Sequence, residues 1–226
     1  MRNDTLAFLT ELADNNNKEW MDANRNWYQE VRKGFLDTVK EFLLALSQID
    51  PAFSAVDPKK CVFRQNRDIR FSANKDPYKN NMGAFFSPQG KNTSGPGYYI
   101  HLQPGECFLA GGVWMPPADK LKKIRQEIDY AGGELEKIIH EASFKAAFGE
   151  LKGEQLKSSP RGYPNDHPYI DLMRMKSFVV TRPLSDQEVL SGNLVEHCMK
   201  YYTLMGDFNV FLARALEEVE GGEGIL

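Results

Sequence analysis

The chain has 226 residues, of which 42% are hydrophobic and 26% charged, so it is long enough for one large globular domain. Its net charge of −3 and pI near 5.9 argue against a dedicated duplex-DNA-binding protein, since that class is usually strongly basic. The odd number and wide spacing of the three cysteines exclude a disulfide framework and a paired metal-ligand motif, which favours a reducing cytoplasm. These cysteines are Cys61, Cys107 and Cys198.

The first 16 residues contain acids where a signal peptide has its apolar run, and no stretch approaches 18 apolar residues. We therefore expect a cytoplasmic protein that does not span a membrane. No repeat, low-complexity tract or Ser/Gly linker marks a boundary, so the sequence predicts a single domain over residues 1–226. Its predicted parts are N-terminal helices (4–47), a sheet-rich middle (61–115) and a helical and strand-containing C-terminal part (118–219).

The N-terminal part has the periodicity of amphipathic helices. Asp4 is predicted to cap a short helix with an apolar stripe, and a long helix follows from Lys18 to Ser47. Gly34 weakens the centre of the long helix and is a candidate kink. Asp50-Pro51 and Asp57-Pro58 are expected to end the helical part, because a residue before proline avoids the helical conformation.

The middle part has the two-residue period of β-strands. Four stretches are predicted to be strands: Cys61–Phe63, Ala84–Phe86, Tyr98–Gln103 and Cys107–Trp114. The turn Gln103-Pro104-Gly105-Glu106 joins the last two as a hairpin. Within Tyr98–Gln103, the odd-numbered residues Tyr99, His101 and Gln103 share one face, and the even-numbered residues share the other.

The C-terminal part returns to helices around one further strand. Helices are predicted over Ala118–Ala131 and Glu134–Glu141, separated by Gly132-Gly133, and over Asn193–Val219, interrupted near Gly206. Lys176–Thr181 is the predicted strand, and Ser185 with Glu188 forms a capping box for a short helix. The fold class is therefore α+β, with an antiparallel β-sheet and helices from both the N- and C-terminal parts packed on it.

The segment Cys61–Lys79 has the most unusual charge of the chain. It holds five cations and two carboxylates, a local charge of +3 in a protein of net charge −3. Guanidinium groups grip phosphate or carboxylate bidentately, and crowded like charges favour an anionic guest. The candidate ligand-binding residues are Arg64, Arg67, Arg70, Lys75 and Lys79, with Tyr78 to orient the anion. The alternative is that Asp68 and Asp76 neutralise the arginines as internal ion pairs.

Catalytic signals are weak. Neither a G-x-S-x-G elbow nor a phosphate-binding glycine motif occurs, and no two of the four histidines have the i, i+4 spacing of a helical metal site. His101 and His167 are the candidate proton carriers, and Asp68 is a further candidate acid or base, because cations close to these residues could tune them. The sequence specifies no metal, no cofactor and no oligomeric state.

With these motifs in view, the chain resembles a bacterial and fungal family designated domain of unknown function 2461. The resemblance rests on Phe8-Leu9-x-x-Leu12, Asn16-Asn17-Lys18-Glu19-Trp20, Asn24-Arg25, Phe63-Arg64, Arg67-Asp68-x-Arg70-Phe71-Ser72, Lys75-x-Pro77-Tyr78-Lys79, Pro96-Gly97-Tyr98-Tyr99, Gly111-Gly112 to Pro116, Phe148-Gly149, His167-Pro168 and Lys176-Ser177-Phe178. It implies family membership alone, with no activity or catalytic residue to transfer. The chain departs from the expected family pattern at Gln65-Asn66, where an apolar or aromatic pair is expected, and at Met21, where Phe is common.

Three functions are compatible with the sequence. The first is an anion site for a phosphate or a nucleotide-like small molecule, in an enzyme that acts on a phosphorylated compound. The second is a non-catalytic module for single-stranded nucleic acid or for an acidic protein partner, whose binding would weaken steeply with salt. The third is a structural protein in which the basic segment forms internal ion pairs.

Overall fold

The computed structural model describes residues 2–151 and 153–217. Its helices are α1 (Thr5–Asp14), α2 (Lys18–Ala23), α3 (Arg25–Ser47), a 3-10 helix (Pro51–Ala55), α4 (Pro58–Cys61), α5 (Ala118–His140), α6 (Ala142–Phe148), α7 (Ile170–Arg174), α8 (Asp186–Leu190), α9 (Leu194–Leu204) and α10 (Gly206–Leu216). Its strands are β1 (Met82–Phe86), β2 (Gly97–Leu102), β3 (Phe108–Val113) and β4 (Phe178–Pro183). The α+β prediction is confirmed.

The N-terminal helices differ from the prediction at their ends. The long helix predicted over residues 18–47 is divided at Asn24, whose side chain donates to the Trp20 carbonyl and so ends α2. Gly34 lies inside a continuous α3, and a Cβ there would stand 2.6 Å from Cγ of Arg2. Asp4 makes no capping bond to α1, because its carboxylate accepts from Arg2 and from the indole of Trp27 instead.

The two Asp-Pro pairs start helices rather than ending the helical part. Asp50 caps the 3-10 helix by accepting from the Ala52 amide, and Asp57 caps α4 by accepting from the Lys59 amide. Proline suits the first helical position, because its missing N–H would have no intrahelical partner there. As a result Cys61 ends α4, and the strand predicted over Cys61–Phe63 shrinks to an isolated bridge between Val62 and Ala84.

The sheet follows the predicted hairpin. Within the described residues it has four strands in the order β1-β2-β3-β4, and β1 pairs antiparallel with β2. Between β2 and β3 the Glu106 amide donates to the Gln103 carbonyl, and Gly105 supplies the positive φ of 74° that the turn requires. Tyr98, Ile100 and Leu102 are buried on one face of β2.

The C-terminal elements confirm the capping box of Ser185 and Glu188, which starts α8. The two helices predicted around Gly132-Gly133 form one helix, α5, with a kink at Ala131. The sequence prediction missed α6 and α7. The predicted tail helix is divided at Met205 into α9 and α10, and its last two residues, 218–219, lie outside the described part of the chain.

The described residues form two compact units. Residues 2–93, 97–110 and 181–203 form the first unit, in which Phe42 packs on Phe86 and Tyr98 packs on Tyr202. The second unit comprises the described residues of 94–96, 111–180 and 204–217, and its core joins α5 to α10. The single-domain assignment stays a prediction.

None of the helices within residues 2–151 and 153–217 combines the length and the apolar character needed to cross a membrane.

Candidate functional site

The basic segment forms a hairpin-like loop in the first unit. Its two arms are held by backbone hydrogen bonds, from the Arg67 amide to the Pro77 carbonyl (2.9 Å) and from the Lys79 amide to the Gln65 carbonyl (2.8 Å). An antiparallel bridge joins Asn66 to Tyr78 between these bonds. We call residues 63–67 and 77–81 the loop base, and residues 68–76 the loop tip.

Two side-chain amides fix the loop base. Gln65 is only 6% exposed, and its Nε2 donates to the carbonyls of Lys79 and Asn81. Asn16, which follows α1, accepts from the Tyr78 amide at Oδ1 and donates to the Tyr78 carbonyl from Nδ2, both at 3.0 Å. The half-buried Tyr78 is thereby held through both polar groups of its backbone.

The cations of the loop tip, together with Arg67, already have partners inside the loop. Arg70 grips the Asp68 carboxylate bidentately, with distances of 2.9 Å from Nε and 2.7 Å from a terminal nitrogen. Arg67 donates to the Asp76 carbonyl and the Ser72 hydroxyl, and Lys75 donates to the Ile69 carbonyl. The internal ion-pair alternative therefore holds for Arg70, whereas Arg67 and Lys75 bind neutral oxygens.

Arg64 and Lys79, in the loop base, have a different environment. Among the residues that the structure describes, no carboxylate lies within ion-pair distance of either one. Nζ of Lys79 lies 5.5 Å from the ring centre of Phe63, a cation–π contact. Burial lowers the pKa of Lys79, and the positive charge of Arg64 lowers that pKa further. The two cations repel each other. The Asp68 carboxylate, whose pKa is lowered mainly by its hydrogen bond with Arg70, also attracts Arg64 and offsets part of that charge.

The loop base lies along the edge of the sheet. The Phe63 amide donates to the Gly83 carbonyl of β1 (3.0 Å), and Gly83 is paired in turn with His101 of β2. Because Gly83 has no side chain, the ring of Tyr99 covers it, and a Cβ there would stand 2.6 Å from the Tyr99 hydroxyl oxygen. Tyr99 also meets Phe63 edge-on, with ring centres 6.1 Å apart.

His101 lies at the centre of a polar group on this sheet face. Its Nδ1 is 3.0 Å from the Tyr99 hydroxyl, and its Nε2 is 3.2 Å from Oε1 of Gln103. Nε2 of Gln103 donates in turn to the Glu106 carboxylate at 2.5 Å. Nδ2 of Asn81 lies 3.1 Å from both ring nitrogens. Burial lowers the pKa of His101, so its ring is neutral at pH 7.

The same face is closed by aromatic stacking. Phe108 of β3 stacks on the His101 ring, with ring centres 4.7 Å apart and planes 15° apart. Burial raises the pKa of Tyr99 to about 12, which keeps its hydroxyl protonated and able to donate. The face predicted to hold Tyr99, His101 and Gln103 is thus a half-buried polar row.

His167, the second candidate proton carrier, belongs to the second unit and has both ring nitrogens engaged. The Tyr169 amide donates to Nδ1 (3.1 Å), so Nε2 carries the hydrogen and donates to the Asp129 carboxylate (2.9 Å). Tyr169 also packs on Gly132 of α5, where a Cβ would stand 2.3 Å from its ring. These contacts hold the segment before α7 against α5, so the role of His167 is structural.

The cysteines have no features of nucleophiles. Cys61, Cys107 and Cys198 are all buried, and burial raises the pKa of the first two to about 11 and that of Cys198 to about 12. A reactive cysteine needs a lowered pKa to supply its thiolate. Likewise, in the described part of the chain no three His, Cys, Asp or Glu side chains gather in a way that could hold a metal ion.

A concavity of about 280 Å³ lies elsewhere in the first unit, between α3 and the segment from α8 to α9. Its lining combines apolar groups with the carboxylates of Glu41 and Glu196 and contains none of the candidate anion ligands. Two acids make this concavity a poor place for an anion.

Sequence reasoning missed the site residues whose partners are distant in the chain. Asn16 contacts Tyr78 across 62 positions, and no local pattern indicates that pairing. Gln65, where the family pattern has an apolar or aromatic residue, could have been recognised from the sequence as a site residue. A polar side chain that is buried in an apolar position needs hydrogen-bond partners. Met21, the other departure, is a buried apolar residue, as the Phe expected there would be.

Comparison with known proteins agrees with the motifs. Residues 4–211 match the family described as "Conserved hypothetical protein (DUF2461)", which confirms the resemblance over nearly the whole chain. No curated protein and no solved structure matches the sequence. The chain therefore belongs to the conserved hypothetical protein family DUF2461.

Proposed function

We propose that this protein binds a small anionic molecule that carries a phosphate group, such as a phosphorylated metabolite or a nucleotide. Arg64 and Lys79 would hold the phosphate, beside the polar row of Tyr99 and His101 on the sheet. This narrows the six residues suggested by the sequence to the two cations whose side chains form neither an ion pair nor a hydrogen bond with any of the described residues, since Arg67, Arg70 and Lys75 are bonded within the loop.

The observation that carries the proposal is the environment of Lys79. A half-buried ammonium group loses part of its hydration, and its lowered pKa records that cost together with the repulsion from Arg64. A bound phosphate would reverse both effects, because it supplies opposite charge and accepts hydrogen bonds from both cations. The clamps formed by Gln65 and Asn16 support the same conclusion, since they hold this charge in place before any ligand arrives.

The enzymatic form of this proposal assigns the proton-carrying role to His101. The neutral ring can accept a proton at pH 7, and its neighbours hold it in one orientation. His167 is not used, because it belongs to the second unit, whereas Arg64, Lys79 and His101 belong to the first.

A thermal-shift titration with sodium phosphate and AMP, against sodium chloride of equal ionic strength, tests the proposal. A ligand at about 100 times its Kd stabilises the folded state by about 2.7 kcal/mol, so we expect a rise in Tm of several degrees in the wild type. Lys79→Met should abolish that rise. Lys122→Met, which removes an exposed lysine of α5, should keep it. An equal rise in Lys79→Met, or none in the wild type, would refute the proposal.

A second candidate function is favoured by the loop tip. The Phe71 ring is 96% exposed, and the guanidinium of Arg70 lies 5.9 Å from its centre. An exposed ring beside a cation is the usual platform for an unstacked base, so this feature supports binding of single-stranded nucleic acid. Phe71→Ala separates the two functions: it should weaken binding of a labelled oligonucleotide and leave the phosphate-induced rise in Tm unchanged.

A further inference from the structure

The connection between β3 and α5 exposes apolar side chains that have no part in the proposed anion site. It has the sequence Trp114-Met115-Pro116-Pro117 and belongs to the second unit. Trp114 is 73% exposed and Met115 is 54% exposed. Single exposed apolar residues are ordinary on a protein surface, but two large neighbours stiffened by two prolines form a defined apolar feature. We call residues 114–117 the apolar turn.

The backbone of the apolar turn is held in a strained conformation. Met115 has a φ of 45°, in the left-handed region that favours glycine, and the following Pro116 restricts it further. Ser177 is 2% exposed, and its hydroxyl oxygen accepts a hydrogen bond of 2.9 Å from the Met115 amide. A glycine would remove the strain, and the exposed methionine side chain adds little to the core. The side chain is therefore explained better by a contact outside the chain than by folding.

The start of α5 adds positive charge beside the apolar turn. Pro117 is the N-cap residue of α5, and Asp119 is the one acid among residues 118–124. Three lysines share those two helical turns: Lys120, Lys122 and Lys123. Helix geometry places their Cα atoms within about 10 Å of Pro117. In the part of the chain that the structure describes, none of the three lies within ion-pair distance of a carboxylate, unlike the lysines at 145 and 176.

We propose that the apolar turn is a docking site for an anionic phospholipid surface, with Trp114 and Met115 in the interfacial layer and the three lysines at the headgroups. Tryptophan is enriched where a membrane meets water, and each lysine near an anionic leaflet adds attraction. This attachment lies on the surface of the bilayer and needs no helix that crosses it.

The size of the apolar turn favours a lipid surface over a protein partner. A stable protein interface buries about 800 Å² on each partner, far more than two exposed side chains supply. A shallow apolar insertion assisted by positive charge is sufficient for reversible attachment to a membrane. This inference is independent of the proposed function, because the turn lies in the second unit and the anion site lies in the first.

Co-sedimentation with phospholipid vesicles tests the inference. The wild type should bind vesicles of equal parts phosphatidylglycerol and phosphatidylcholine, and it should not bind vesicles of phosphatidylcholine alone. Trp114→Ala should lower the partition coefficient by about tenfold or more, because its apolar surface no longer leaves water. Lys122→Gln should lower it by about fivefold, the contribution of one lysine near an anionic surface.

Matched variants separate docking from folding. Lys137→Gln, in the last turn of α5, and Val210→Ser, at an exposed position of α10, should bind vesicles like the wild type. Met115→Gly should weaken binding while its Tm stays equal to that of the wild type or rises, because glycine adopts a φ of 45° without strain. A fall in the Tm of Met115→Gly would show that folding explains Met115, and it would count against the inference.

Tryptophan fluorescence gives a second readout of the same contact. Anionic vesicles should shift the emission of the wild type to shorter wavelengths, and brominated phosphatidylcholine in those vesicles should quench it; Trp114→Ala should show neither effect. Equal binding by the wild type and Trp114→Ala, equal binding to neutral vesicles, or no binding to anionic vesicles would overturn the inference. Binding of poly-L-glutamate through Trp114 without binding of vesicles would assign the turn to an acidic protein and would overturn it too. The phosphate-induced rise in Tm tests the first unit separately.

Discussion

The tip and the base of the basic loop have similar charges but different environments. At the tip, Arg70 and Lys75 are exposed and bonded to groups within their own loop. At the base, Arg64 and Lys79 have no carboxylate partner among the described residues, and Lys79 is partly buried. The whole loop has a high positive charge. The bonding partners of each cation show which cations hold the loop together and which remain available to a ligand.

The difference arises from how each half is built. The tip is short enough for Asp68 to reach Arg70 two residues away, so local geometry satisfies its charge. The base is instead organised by long-range amide contacts from Gln65 and Asn16, which bond to backbone atoms and add no charge. A neutral scaffold around two cations preserves their electrostatic potential, which is what an anion site requires.

Among the proposed variants, Gln65→Leu should have the largest effect on the stability of the loop base. The change leaves the carbonyl of Asn81 without its side-chain donor and removes a buried amide that links the two arms of the loop. We expect the free energy of unfolding to fall by about 2–3 kcal/mol, measured by urea denaturation. Gln126→Leu, on the exposed side of α5, is the matched control and should change it by less than about 0.5 kcal/mol.

Asn16→Ala should have the next largest effect. Both polar backbone groups of Tyr78 lose their partner, and water replaces it in part because the site is only partly buried. The expected loss is about 1–2 kcal/mol of unfolding free energy, with faster hydrogen exchange at the Tyr78 amide. Asn26→Ala, at an exposed position of α3, should cost nothing measurable. Unchanged exchange in Asn16→Ala would show that the clamp does not order the loop base.

The fold was predictable where local chemistry decides it. The turn at Gly105, the capping box at Ser185 and the alternation along β2 were all predicted correctly, because each depends on neighbours within a few residues. The prediction that the Asp-Pro pairs at 50–51 and 57–58 end the helical part was wrong, because the same dipeptide can end one helix or cap the next. Local propensity cannot choose between those outcomes, because the choice depends on how the next segment of the chain packs.

The candidate site was predictable to a smaller extent. Composition located the basic loop, but it could not show that Arg67 donates to carbonyl and hydroxyl oxygens within the loop while Arg64 does not. The contact between Asn81 and His101 was not predictable either, because His101 lies 20 residues away in the chain. Side-chain partners across strands depend on register, and a single sequence fixes register weakly.

A pair of arginine variants tests the distinction between structural and available cations. Arg67→Ala removes hydrogen bonds to Ser72 and to the Asp76 carbonyl, so it should lower the free energy of unfolding by about 1 kcal/mol. Arg64→Ala removes an exposed side chain and should change stability by less than about 0.5 kcal/mol. The phosphate-induced rise in Tm should behave in the opposite way: it should survive in Arg67→Ala and be lost in Arg64→Ala. If both variants keep it, the base has no special role.

The smallest effect should be a pH dependence from Lys79. Its folded-state pKa is lowered, first by burial and then by Arg64, whereas the unfolded chain has the ordinary value of 10.5. Between these two values the unfolded state binds more protons, so stability should gain a small increment as pH rises towards 10.5. Lys79→Met should lack that increment in Tm scans against pH, and Lys122→Met should retain it. Saturating phosphate should remove the increment from the wild type, because a bound anion raises the pKa of Lys79; an increment that persists would place the anion away from this lysine.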